Sequence, residues 1–131
     1  LWFLREHAPD PLTEQVVRLA AQDEARHVAF GIAHLSHHVR EDPSLLDRLA
    51  SAIEARHDAL ANTAGLNEEV FDALVLIAAG GWEPDRLRAG WQAVQELIAD
   101  MDRGRVSRLQ KVGFCERRAT ELSALHTKNF M

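Results

Sequence analysis

The chain has 131 residues, a formal charge of −5 and a single cysteine, Cys115. This length allows one domain with a buried core. The acidic balance argues against nucleic-acid binding across the domain, and a single thiol excludes an internal disulfide. No apolar run has the length of a membrane span, and we expect a cytoplasmic protein without a membrane partner. Tyr is absent, whereas Ala, Leu, Arg and Glu are common, and this bias favours helix over strand.

Helical periodicity and the positions of Pro and Gly predict an all-α fold. Asp42-Pro43 and Pro84 are typical helix starts, and Gly80-Gly81 and Gly113 are typical helix ends. Gly65 predicts a further stop. The predicted helical segments, in chain order, are 1–7, 12–40, 43–62, 68–79, 84–112 and 116–125.

The beginning of the chain predicts a fragment. Leu1-Trp2-Phe3-Leu4 has neither Met nor a capping residue and is typical of the end of a helix. We therefore expect residues 1–131 to form a single helical domain that is the C-terminal part of a longer protein.

The motif Glu24-Ala25-Arg26-His27 places a carboxylate and an imidazole three residues apart. On a helix this spacing puts both side chains on one face, which is otherwise apolar from Val17 to Leu35. These donors suit iron, manganese or zinc, and Asp23 is placed to support a histidine ligand. The alternative is structural, with Glu24 in an ion pair and His27 a core histidine.

The segment 23–31, Asp-Glu-Ala-Arg-His-Val-Ala-Phe-Gly, resembles the last-helix motif of ferritin-like di-iron carboxylate proteins. That superfamily includes the ribonucleotide reductase small subunit and the arylamine N-oxygenases. The end of the chain, 122–131, resembles the C-terminus of uncharacterised bacterial ferritin-like proteins. The resemblance implies an antiparallel, ferritin-like partial bundle. It also implies a dinuclear iron cofactor, with manganese as an alternative, and Glu24 and His27 as ligands. The remaining ligands would lie before Leu1.

Two other histidine groups are weaker candidates. Glu54-Ala-Arg-His57 repeats the tetrapeptide, but its register fits poorly with that of Glu24, and we expect a half-buried His57 beside an exposed Glu54. His34 and His38 are four residues apart and could bind a metal weakly. Their ordinary interpretation is a solvated helix end.

These observations lead to a functional hypothesis and a rival. The hypothesis is the C-terminal part of a di-iron oxidase or oxygenase that contributes one Glu-x-x-His half-site and is inactive alone. It requires missing N-terminal helices or a homodimer partner to complete the site, and the fragment alone would lack the metal. The rival is a non-catalytic helical interaction or dimerisation module. The orientation of Glu24 and His27 separates the two. The metal hypothesis fails if both side chains point outward to solvent, and it survives if they point into a cavity or an interface.

Overall fold

The computed structural model describes residues 1–60 and 68–128 and is all-helical within them, which confirms that the fold is all-α. The predicted stop at Gly65 lies outside the described residues. The helices are α1 (Trp2–Glu6), α2 (Pro11–Glu41), α3 (Leu45–Leu60), α4 (Glu68–Ala79), α5 (Pro84–Val112) and α6 (Glu116–Lys128).

An aspartate caps the start of α2. The carboxylate of Asp10 accepts hydrogen bonds from the backbone N–H of Thr13 at 2.9 Å and from its hydroxyl at 2.6 Å. Pro11 occupies the first helical position, where its missing N–H costs nothing. These hydrogen bonds lower the pKa of Asp10. Pro11, which could not lie inside a helix, is therefore the residue at which α2 begins.

The start of α3 differs from its prediction by two residues. Asp42 accepts hydrogen bonds from the backbone N–H of Ser44 at 3.0 Å and from the Ser44 hydroxyl at 2.6 Å. This short aspartate turn includes Pro43, and α3 begins only at Leu45. The local side-chain bonds compete with helical geometry and delay the helix start.

The structure divides into two compact units. The first unit comprises Leu1–Ala29 and Glu68–Ala99, and the second comprises Phe30–Asn67 and Asp100–Met131. Helices α2 and α5 contribute residues to both units.

In the first unit, few side chains are fully buried. Phe3, Ala21 and Val94 are its buried apolar residues within the described range. Gly90 of α5 packs directly against the backbone of α4, because a β-carbon there would collide with the carbonyl oxygen of Val75. A glycine is thus needed for this close helix approach.

The second unit has a continuous apolar core. Partly buried Leu45, Leu46, Leu49 and Ile53 of α3 pack against this core. Gly113 ends α5 with φ +131°, a conformation that favours glycine. The buried core residues are Val39, Ala50, Val112, Phe114, Ala119 and Leu122.

Candidate metal half-site

Glu24 and His27 lie one turn apart on α2, as their spacing predicts. The Nδ1 atom of His27 is 3.7 Å from the Oε2 atom of Glu24, and the side chains are 69% and 62% exposed, respectively. Both therefore face solvent in the isolated chain, which by the criterion given above counts against the metal hypothesis unless other helices or a partner chain cover this face. A carboxylate and an imidazole on one helix face fit half of a dinuclear donor set.

Asp23 and Arg26 surround the same imidazole with charge. The Oδ2 atom of Asp23 is 3.8 Å from the Nε2 atom of His27, which is too long for a hydrogen bond. The Oδ1 atom of Asp23 lies 3.4 Å from the Nη1 atom of Arg26 in an exposed ion pair. Arg26 thus lies in a surface ion pair of the predicted kind, and Asp23 lies on the side of His27 opposite Glu24.

The predicted apolar face of α2 is largely exposed in the first unit. Ala21, three residues before Glu24 and seven before Val28, lies on this same face and is the buried residue of the stretch. Val28, next to His27, is exposed, and so are Leu12, Val16 and Leu19 on the adjoining face. The sequence pattern identified an apolar stripe correctly but not its environment, because periodicity does not reveal what covers a face.

Within residues 1–60 and 68–128, no group of three or more His, Cys, Asp and Glu side chains is placed to hold a metal ion. Glu24 and His27 are therefore a candidate half-site only, and the described residues supply no further donors to it. An open depression of about 410 Å³, lined by α1 and the start of α2, includes Glu14. Ten residues separate Glu14 from Glu24, about 15 Å along the helix, so this depression is not part of the half-site.

The second Glu-x-x-His copy has a different role from the one expected. Glu54 is half-buried rather than exposed, and its Oε1 atom accepts a hydrogen bond of 2.6 Å from Nη2 of Arg118. Arg118 also bonds Glu121, and these carboxylates raise the pKa of its guanidinium. His57 is half-buried, as predicted. Glu54 thus links α3 to α6 through an ion pair.

A buried polar network in the second unit was not identified from sequence. Ser123 is fully buried, and its hydroxyl donates a hydrogen bond of 2.5 Å to the Oδ1 atom of Asp102. The Nε atom of Arg105 donates to the same hydroxyl at 3.3 Å, and burial lowers the pKa of Arg105. Arg105 is partly buried, whereas its basic neighbours Arg103 and Arg108 on α5 are exposed. Only its i,i+3 spacing from Asp102 was visible in the sequence.

The two tryptophans of α5 and the turn before it are exposed to different degrees. Trp82 is the more exposed of the two. Trp91 is partly exposed and packs edge-to-face on Phe71, with ring centroids 5.1 Å apart. Cys115 is exposed.

No family model, curated protein or solved structure matches the chain. Among the helices of the described part, none combines the length and apolar character needed to cross a membrane.

Proposed function

We propose that the chain is part of a ferritin-like dinuclear-metal oxidase or oxygenase, to which α2 contributes one half-site. This proposal rests on the observation that Glu24 and His27 lie beside exposed apolar side chains of α2, with Val28 on their own face and Val16 and Leu19 on the adjoining face. Large apolar patches on a surface mark places where other protein packs. Covered by further helices of an antiparallel bundle, this face would be an interior with two metal donors.

Each residue of the proposed metal site would have its own role. Glu24 and His27 would hold the metal, iron or alternatively manganese, and Asp23 would orient the His27 ring by accepting its second N–H. When bound, the metal pair would supply redox chemistry with dioxygen. The carboxylate would neutralise cationic charge away from water, and neighbouring Val28 would help to exclude solvent.

Elemental analysis of the intact protein, expressed with iron and then desalted against a weak chelator, tests this proposal. We expect two metal equivalents, lost together in Glu24→Ala and in His27→Ala. Glu14→Ala and His7→Ala are matched controls in the same unit and should retain both equivalents. A metal-free wild-type protein, or equal loss in the controls, would contradict the proposal.

Exposed apolar side chains on the adjoining face of α2 favour a second candidate, a dimerisation module. Leu12, Val16, Leu19, Asp23 and Arg26 follow the 4-3-4-3 spacing of a coiled-coil seam. In an antiparallel pair of these helices, Asp23 of each copy would lie opposite Arg26 of the other. The charge pattern is therefore self-complementary.

Sedimentation velocity distinguishes the two candidates. Dimerisation predicts a concentration-dependent dimer in metal-free protein, weakened by Leu19→Asn and by the charge reversal Asp23→Arg. The double variant Asp23→Arg with Arg26→Asp should restore the dimer. A monomer at all concentrations would exclude this candidate and would leave the metal proposal untouched.

A further inference from the structure

A separate histidine cluster lies at the C-terminal end of α2, in the second unit. The rings of His34 and His38 meet edge-on, with centroids 4.5 Å apart, and those of His37 and His38 are 5.3 Å apart. Glu41 lies beside them, with Oε1 3.4 Å from Nε2 of His37 and Oε2 3.8 Å from Nδ1 of His38. All four side chains are exposed.

From this geometry we propose that His34 and His38 form a two-imidazole binding site for a borderline transition-metal ion, Cu²⁺, Ni²⁺ or Zn²⁺. Imidazole nitrogen is a preferred ligand of these ions. Two nitrogens that share a tetrahedral ion at about 2.0–2.1 Å are about 3.3 Å apart. The ring centroids of His34 and His38 are 4.5 Å apart and the ring planes are at 79°. Rotation of the ring that presents its face, which its exposure permits, brings a nitrogen of each ring to one ion.

The site uses two protein ligands because the described residues offer no third. Since no three metal-ligating side chains converge in the part of the chain described, water completes the coordination shell and the ion remains exchangeable. The position supports a cation, since a helix C-terminus carries partial negative charge and Glu41 adds a carboxylate.

His37 distinguishes a defined pair from a general histidine effect. His37 is only one residue farther from the helix end than His38, but the residues four before and four after it are Ala33 and Glu41, not histidines. A diffuse attraction of metal to an imidazole-rich helix end would depend on all three histidines equally. A chelate depends on His34 and His38 alone.

Isothermal titration of the chain with CuCl₂, NiCl₂ or ZnCl₂, in a buffer that does not bind metals, tests the proposal. We expect one saturable equivalent and tightest binding for Cu²⁺, as the Irving–Williams order requires. His34→Asn and His38→Asn should each weaken binding by about tenfold or more, since removal of even a supporting residue costs that much. His37→Asn and the double variant Glu24→Ala with His27→Ala should bind as the wild type does.

Three results would overturn the proposal: no saturable binding, equal weakening in His37→Asn, or loss of the equivalent in the Glu24 and His27 double variant. Far-UV circular dichroism confirms that each variant remains helical. Because these sites are exposed on one helix, their substitution leaves the second unit's core intact. No iron is added in this experiment, so its outcome does not depend on iron binding at Glu24 and His27.

Discussion

The two units differ in how completely they bury their apolar side chains. Among the described residues, the second unit buries six apolar residues in one cluster, whereas the first buries three. The exposed large apolar residues are distributed in the opposite sense, with ten in the first unit and three in the second. Glu24 and His27 belong to the unit with the exposed surface. A poorly covered region that also carries paired metal donors is more consistent with a binding face than with a finished core.

The largest expected effect concerns the core of the second unit. Leu122 is fully buried, and Leu122→Ala should reduce the free energy of unfolding by about 2–5 kcal/mol, because a cavity is left. Leu19→Ala, at an exposed position of the first unit, should change it by no more than about 0.5 kcal/mol in the monomer. Urea denaturation of both variants measures the difference. Equal losses would contradict the contrast between the units.

A smaller loss of unfolding free energy than in Leu122→Ala is expected at Gly90, where α4 and α5 of the first unit pack closely. Gly90→Ala places a β-carbon against the Val75 carbonyl and should cost about 1–3 kcal/mol of unfolding free energy, because the helices must separate. Gly31→Ala is the matched control, since a β-carbon there meets open space. It should stabilise the protein by about 0.4–1 kcal/mol through the unfolded chain. Thermal denaturation should show shifts of opposite sign, and a neutral Gly90→Ala would contradict the packing of α4 on α5.

The polar network around Ser123 in the second unit should contribute no more to the free energy of unfolding than the close packing at Gly90. Ser123→Ala removes the hydroxyl between Asp102 and Arg105 and should cost about 1–2 kcal/mol, because polar groups lose their partner away from water. Thr120→Ala removes an exposed hydroxyl that bonds only the preceding helical turn. The same denaturation measurement should find it near wild type. A Ser123→Ala variant as stable as Thr120→Ala would show that the network contributes nothing.

The smallest effect is the pH dependence of the cap of α2. Hydrogen bonds from Thr13 lower the pKa of Asp10 below 3.8 in the folded chain. The unfolded state therefore binds this proton more readily, and the stability from the cap is present above pH 3.8 and lost as pH falls through the folded pKa. Asp10→Asn keeps a capping side chain but removes the titration. Carbon NMR of the Asp10 carboxyl should report a midpoint below 3.8, and a midpoint at or above this value would contradict the cap.

Sequence reasoning predicted the parts of the fold that depend on local chemistry. Pro84 starts α5 and Gly113 ends it as predicted, because each acts through its own backbone geometry. The start of α3 was missed by two residues, since the Asp42–Ser44 turn competes with the helix.

The contacts that sequence reasoning missed join residues far apart in the chain. Glu54 and Arg118 are 64 positions apart, and no local pattern links their charges. Arg105 resembles its exposed basic neighbours until packing buries it beside Ser123. The candidate half-site lies between these cases, because the spacing of Glu24 and His27 is local, whereas their environment depends on what packs against α2.

Pulsed electron paramagnetic resonance of the protein loaded with manganese reports which nitrogen atoms are bound to the metal. We expect a nitrogen coupling to which His27 contributes, weakened or lost in His27→Ala and unchanged in the double variant His34→Asn with His38→Asn. A nitrogen coupling that is the same in His27→Ala as in the wild type, or none in the wild type, would contradict the assignment of Glu24 and His27 as a metal half-site.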